Sequence, residues 1–159
     1  MAKVAKAESK DIFLSYGRDE GVKEFVVKLK HGLEAAGFHV WLDTCDIPSG
    51  SEWPQEIGLA LLECKALIAV VTKKYVSSQY CKGELYVACS NKKHIFPIIY
   101  EDGWKESADG AGVNYMIAAY NWAMFRPGQD EYSLSLQKLI DGLRSKMNLY
   151  QGNYCSMPW

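Results

Sequence analysis

Ala66-Leu-Ile-Ala-Val-Val-Thr72 is a continuous apolar run, rich in branched side chains, with no polar residue on either face before Thr72. A strand with one wet face would alternate, so an unbroken run marks a central strand of a parallel sheet covered on both sides. Parallel neighbours need long crossovers, usually helices, and the rest of the chain supplies them. Asp11-Ile-Phe-Leu-Ser15 predicts a first strand and Phe38-His-Val-Trp-Leu42 a second. His94 to Tyr100 predicts a fourth, with Pro97 placing it nearer the sheet edge. A short fifth strand is expected near Tyr120 to Phe125. Helical spacing joins Val22, Phe25, Val26, Leu29 and Leu33, and Gly37 ends that helix. Pro54 suits the first turn of a helix reaching Glu63. Ser77 or Ser78 caps another running to about Asn91. Leu136, Leu139, Ile140 and Leu143 mark an amphipathic last helix. Asp43 to Gly50 and the Gly- and Asp-rich Glu101 to Val113 read as loops.

Strands alternating with helices predict an α/β fold: a doubly wound, five-stranded parallel sheet with helices on both faces. Right-handed crossovers favour the flavodoxin-like strand order 2-1-3-4-5. One domain fits the 159 residues. It is expected over residues 11–147, after a flexible segment 1–10 and before a patternless tail 148–159. Lys plus Arg number 18 against 19 Asp plus Glu. No strong positive field exists, so neither nucleic acid nor a membrane surface is an expected partner. Met1 to Lys10 lacks an apolar core and is not expected to act as a secretory signal. Five cysteines without a CxxC pair then fit reduced thiols and a cytoplasmic setting. His31, His39 and His94 share no metal-ligand spacing, so no metal site is expected.

In a sheet of this order the crevice opens beyond the carboxyl ends of strands 1 and 3. Tyr16-Gly17-Arg18 follows strand 1, and the segment after Thr72 leads to the helix carrying Glu84. Ser15-Tyr-Gly-Arg has one glycine and cannot cradle a pyrophosphate as a P-loop or GxGxxG turn does. No GxSxG elbow is present, and Gly110-Ala-Gly112 reads as plain loop. Tyr80 and Glu84, four apart, share a helix face about one turn from its start. No Lys or Arg stands three or four residues from Glu84. Taken alone it reads as an ordinary surface glutamate; the sharper reading is a carboxylate at the crevice mouth beside an aromatic ring. Tyr16, Trp53, Tyr80 and Trp104 fall in loops or at helix starts, as structural aromatics or as stacking partners for a heterocycle.

Four segments in order resemble a TIR (Toll/interleukin-1 receptor) domain over roughly Lys10 to Lys146. They are Asp11-Ile-Phe-Leu-Ser-Tyr16, Trp41-Leu-Asp-Thr-Cys-Asp-Ile-Pro-Ser-Gly50, Tyr80-Cys-Lys-Gly-Glu-Leu85 and Ile95-Phe-Pro-Ile-Ile99. The second resembles the family's strand and BB loop, the third its [W/Y]CxxEL helix motif. The family divides into signalling scaffolds and enzymes that cleave NAD+. Cys45-Asp46-Ile-Pro-Ser-Gly lacks the Arg-Asp pair of receptor BB loops, and Phe125-Arg126 stands near the place of the receptors' Phe-Trp box. Ser15-Tyr-Gly-Arg18, Trp53 and Glu101-Asp-Gly-Trp104 resemble stretches of the animal axon-degeneration NAD hydrolase.

The resemblance implies an NAD+ nucleosidase in immune or stress signalling, with Glu84 as the catalytic carboxylate. Tyr16, Gly17, Arg18, Trp53, Tyr80 and Trp104 would bind substrate. Tyr80 stands where the family often has Trp. The BB loop, with Asp46, Ile47, Pro48 and Gly50, would assemble subunits, self-association or other TIR domains being the implied partners. NAD+ would be substrate, with no cofactor. The alternative is a TIR adaptor that acts by assembly alone. The loop itself, about eleven residues to Trp53, is of a length that tends to be functional, and Ile47 is apolar among polar neighbours. A simple connector remains the other reading.

Overall fold

The computed structural model describes residues 11–42 and 55–147. Five strands form one parallel sheet in the order 2-1-3-4-5. They are β1 (Ile12–Tyr16), β2 (Val40–Leu42), β3 (Ala66–Val71), β4 (His94–Ile99) and β5 (Ala123–Met124). The helices are α1 (Glu20–Ala35), α2 (Gln55–Glu63), α3 (Lys73–Ser77), α4 (Gln79–Ser90), α5 (Ala108–Ile117) and α6 (Tyr132–Met147), with a 3-10 turn at Trp104–Glu106. No described helix is long and apolar enough to cross a membrane.

β3 is buried along its whole length, as its unbroken apolar run requires. Its side chains divide by the period of two between two cores. Ile68 and Val70, with Ile12 and Leu14 of β1, meet Val22, Val26, Leu29 and Leu33 of α1 and Leu139 and Leu143 of α6. Leu67, Ala69 and Val71, with Phe13, meet Ile57 and Leu61 of α2, Cys81 and Leu85 of α4 and Val113 of α5. Burying each large aliphatic side chain contributes about 1.5–3 kcal/mol. α1 ends as predicted: Gly37, at φ 100°, donates to Glu34 while Phe38 N–H reaches the Leu33 carbonyl. That pairing satisfies carbonyls the helix end leaves over.

Pro97 occupies a tolerated ladder position. The His94 and Tyr100 N–H groups donate to the Lys65 and Val71 carbonyls on the β3 side, whereas the Ile99 carbonyl accepts from Phe125 on the other. Ile95, Pro97 and Ile99 therefore turn their backbone groups away from β3. β5 pairs only with Ile98 and Ile99, so the missing Pro97 N–H removes no ladder bond.

Two expectations are corrected. Glu101 to Val113 is not one loop: Ser107 caps α5 by accepting from Gly110 N–H at 2.9 Å. Its glycines hid it, since glycine in a helix costs backbone entropy and lowers the local propensity. Gly110 is required by contact, because a Cβ there would lie 1.6 Å from the Trp104 carbonyl oxygen. The segment after Thr72 also contains an unforeseen helix, α3, capped by Thr72 Oγ1 accepting from Tyr75 N–H at 3.0 Å. Ser77 belongs to α3, and Ser78 caps α4 by accepting from Cys81 N–H.

Candidate active site

At the carboxyl end of β1, a cleft of about 210 Å³ is lined by Leu14, Tyr16, Arg18, Lys74, Ser78, Tyr80, Cys81 and Glu84. It lies where the reversal of strand order on either side of β1 and β3 predicts it. β1 and the turn after it deliver Tyr16 and Arg18, α3 delivers Lys74, and α4 delivers Tyr80, Cys81 and Glu84 from one face. Arg18 and Lys74 are exposed, and Tyr80 is 45% exposed.

Glu84 is not a surface glutamate: it is 5% exposed. The exposed-face reading fails because α4 packs this side against the end of β1. Ser15 Oγ donates to Glu84 Oε1 at 2.6 Å, and Ser15 Oγ lies 2.9 Å from the Tyr75 hydroxyl. Ser15, Thr72 and Glu84 are the buried polar residues among those described. A carboxylate out of water needs such donors, since burying it unsatisfied costs several kcal/mol. Tyr75 is wholly buried, and burial above all, with Cys81 and Glu84 nearby, holds its hydroxyl well above the usual phenol range.

Gly17 contributes through its backbone. A Cβ at this position would meet Tyr75 N at 2.9 Å and the Lys74 carbonyl carbon at 3.2 Å, so only glycine lets β1 run this close to α3. Gly17→Ala is expected to lower stability by about 1–3 kcal/mol by forcing these backbones apart. Thermal unfolding should show a fall of about 2–4 °C per kcal/mol for a chain of this size. An unchanged midpoint would show that the turn yields freely.

Trp104 does not reach the cleft. It is 3% exposed and packs in the second core, its ring 5.7 Å from that of Trp122. Its place among substrate-binding candidates is corrected: a loop aromatic at sequence level proves to be the anchor of the 3-10 turn under α5. Trp53 and the BB-loop residues Asp46, Ile47, Pro48 and Gly50 lie outside the described residues. Ser15, Lys74, Tyr75 and Ser78 were not singled out by name as site residues, although the segment after Thr72 was expected at the crevice. Ser15 had a legible signal: it shares Phe13's face of β1, where a buried hydroxyl must find a polar partner. Lys74 and Tyr75 lie in the segment that the strand order brings to the crevice, but without α3 nothing singled out either side chain.

A larger groove, about 930 Å³, runs beside β4 and α6, lined in part by His94, Phe96, Tyr120, Trp122 and Lys138. It is the open flank left by the short β5, and none of the three buried polar residues enters it. Volume alone is the weaker criterion; the cleft at Glu84 holds a buried carboxyl group hydrogen-bonded by Ser15. Among the described residues, no group of three His, Cys, Asp or Glu could hold a metal ion.

A five-stranded parallel sheet in this order with helices around it is a TIR-like fold. The chain belongs to the TIR domain family, whose model matches residues 12–140. It is 31% identical over 92 residues to a probable 2′ cyclic ADP-D-ribose synthase, BdTIR, of Brachypodium distachyon. That match covers 57% of this chain and 41% of the relative, so this chain accounts for less than half of the relative's length. Among solved structures, the TIR domain of the Toll-related receptor TRR-2 of Hydra magnipapillata superposes with a TM-score of 0.64 at 20% identity, over 85% of this chain and 98% of that one. The TIR domains of the activated Roq1 resistosome give 0.62 at 20% identity, over 85% and 99%. The RPS4 and RRS1 TIR heterodimer gives 0.59 at 15% identity, over 84% and 96%. At these identities the solved structures establish the fold.

Proposed function

We propose that this TIR domain is an NAD+ nucleosidase that breaks the nicotinamide–ribose bond, with Glu84 as the catalytic carboxylate. The observation that carries the reading is a buried glutamate, held by Ser15, at the wall of an open cleft that also presents Tyr16, Arg18 and Tyr80. The name of the Brachypodium relative, a cyclic ADP-ribose synthase, supports the same substrate class. NAD+ acts as substrate, with no separate cofactor.

The chemistry suits a site with one carboxylate. Ordinary glycosidases need a second carboxyl group to protonate the leaving oxygen. Nicotinamide leaves with the electron pair of the C–N bond and becomes neutral, so no general acid is needed. The ribose carbon takes on oxocarbenium character, and a preorganised anion stabilises it. Water then attacks and loses its proton to give ADP-ribose; attack by a nucleophile of the same molecule gives a cyclic ADP-ribose. Tyr80 offers a ring face to nicotinamide, and Arg18 and Lys74 bring positive charge suited to the diphosphate.

The cleft is smaller than the about 300–1,000 Å³ of ordinary small-molecule sites. A dinucleotide therefore needs walls beyond the residues that line it; in this reading Trp53, just past the BB loop, and the BB loop of a neighbouring subunit supply them. Gly50→Pro fixes φ and redirects that loop. It should weaken self-association, read by light scattering under assembly conditions; an unchanged oligomer would count against the docking role.

Nicotinamide release from purified protein, dilute and under conditions that promote assembly, tests the activity. Release that rises with assembly supports an enzyme switched by oligomerisation. No turnover in either state would assign the chain to the non-enzymatic TIR scaffolds.

A further inference from the structure

Ser15, Tyr75 and Glu84 come from three different elements, β1, α3 and α4, and are 1%, 0% and 5% exposed. Their polar atoms form a row, Tyr75 hydroxyl to Ser15 Oγ at 2.9 Å and Ser15 Oγ to Glu84 Oε1 at 2.6 Å. An ionised carboxylate only accepts, so the single Ser15 proton is committed to Glu84. Tyr75 must then donate to Ser15; its other acceptor, the Cys81 carbonyl, is farther at 3.4 Å. Burial keeps Tyr75 protonated and hence a donor.

We propose that Tyr75 and Ser15 are positioning residues, a two-step hydrogen-bond relay that fixes Glu84 as an oriented anion at the cleft. The inference rests on the reading of Glu84 as the charge-bearing group. In the relay each donor polarises the next toward the carboxylate, and a chain of such bonds is stronger than its members separately. α3 is anchored where the phenol departs from it, because Thr72 caps it at Tyr75 N–H and the Gly17 backbone lies against it. So short a helix then serves to bring a phenol behind the serine. Other titratable or charged groups lining the cleft with Glu84 are Tyr16 and Arg18 from the β1 side, Lys74 from α3, and Tyr80 and Cys81 from α4. All of them remain in the variants described next, so a change is assigned to the relay.

Removing a donor to the charged form disfavours that form, so the carboxyl must hold its proton to higher pH. The test uses the whole chain with ¹³C-labelled glutamate, the Glu84 resonance being identified by its absence in Glu84→Gln. In Ser15→Ala the Glu84 titration midpoint should move to higher pH, and in Tyr75→Phe by less in the same direction. Nicotinamide release should lose about tenfold in kcat in Ser15→Ala, with KM within about twofold and the acid limb of the pH profile moved upward. A Glu84 midpoint unmoved in both variants, or a slower enzyme whose acid limb stays in place, would overturn the relay and leave Ser15 a packing residue. If Ser15→Ala does not fold, the Tyr75→Phe titration decides. A wild type that releases no nicotinamide refutes the proposed activity alone, because the titration still judges the relay.

Discussion

Glu84→Gln is expected to reduce nicotinamide release by about a hundred- to a thousandfold. The amide keeps the side chain's size but removes the negative charge facing the developing oxocarbenium, a type of loss that costs roughly 2.7–4 kcal/mol. The serine keeps an acceptor, since a glutamine oxygen can take the place of Oε1 beside Ser15. Were Glu84 exposed, as its helical neighbours suggest, stability would change by only about 0.5 kcal/mol. Its burial changes that expectation: the new amide NH2 must find acceptors where a carboxylate stood, at a cost of about 1–3 kcal/mol. Activity is therefore measured well below both unfolding midpoints, with assembly checked on the same preparations. A folded, assembled Gln variant that keeps near-wild-type turnover in an active background would remove Glu84 from catalysis.

The largest effect on stability is expected from Gly110→Ala. Its Cβ would stand 1.6 Å from the Trp104 carbonyl oxygen and 2.7 Å from the carbonyl carbon, both backbone atoms that no rotamer change can move. α5 must lift from the 3-10 turn, loosening Trp104 against Trp122 and uncapping Ser107. Overpacking typically costs about 1–3 kcal/mol and occasionally more; here about 3 kcal/mol or more is expected, a fall of roughly 6–12 °C in Tm. Gly112→Ala, two residues on, supplies the contrast. Nothing lies within 4 Å of its Cβ, so alanine should stabilise α5 by about 0.5–1 kcal/mol. Equal midpoints for the two variants would contradict the close contact.

Local pattern carried much of this architecture. The apolar run of β3 required a sheet covered on both faces, and the alternation of strands with helices then favoured the order 2-1-3-4-5 that the sheet adopts. The switch point followed, and with it Tyr16, Arg18, Tyr80 and Glu84 as neighbours. Periodicity failed where short or glycine-containing helices suppress it. α3 has only five residues, and α5 carries two glycines. Trp104 was misplaced for the same reason: an aromatic just ahead of an unrecognised helix looks like a loop residue, although its ring is core.

By itself, then, the sequence determined the sheet and favoured its order and the region of the cleft, because those depend on hydrophobic period and crossover hand, both local in origin. Tertiary structure decided the state of the site. Whether Glu84 faces water or protein depends on α4 meeting Ser15, 69 positions earlier, and on α3 bringing Tyr75 behind it. No spacing within one helix records such a meeting. Burial and the donors that make it tolerable arise only when separate elements pack together.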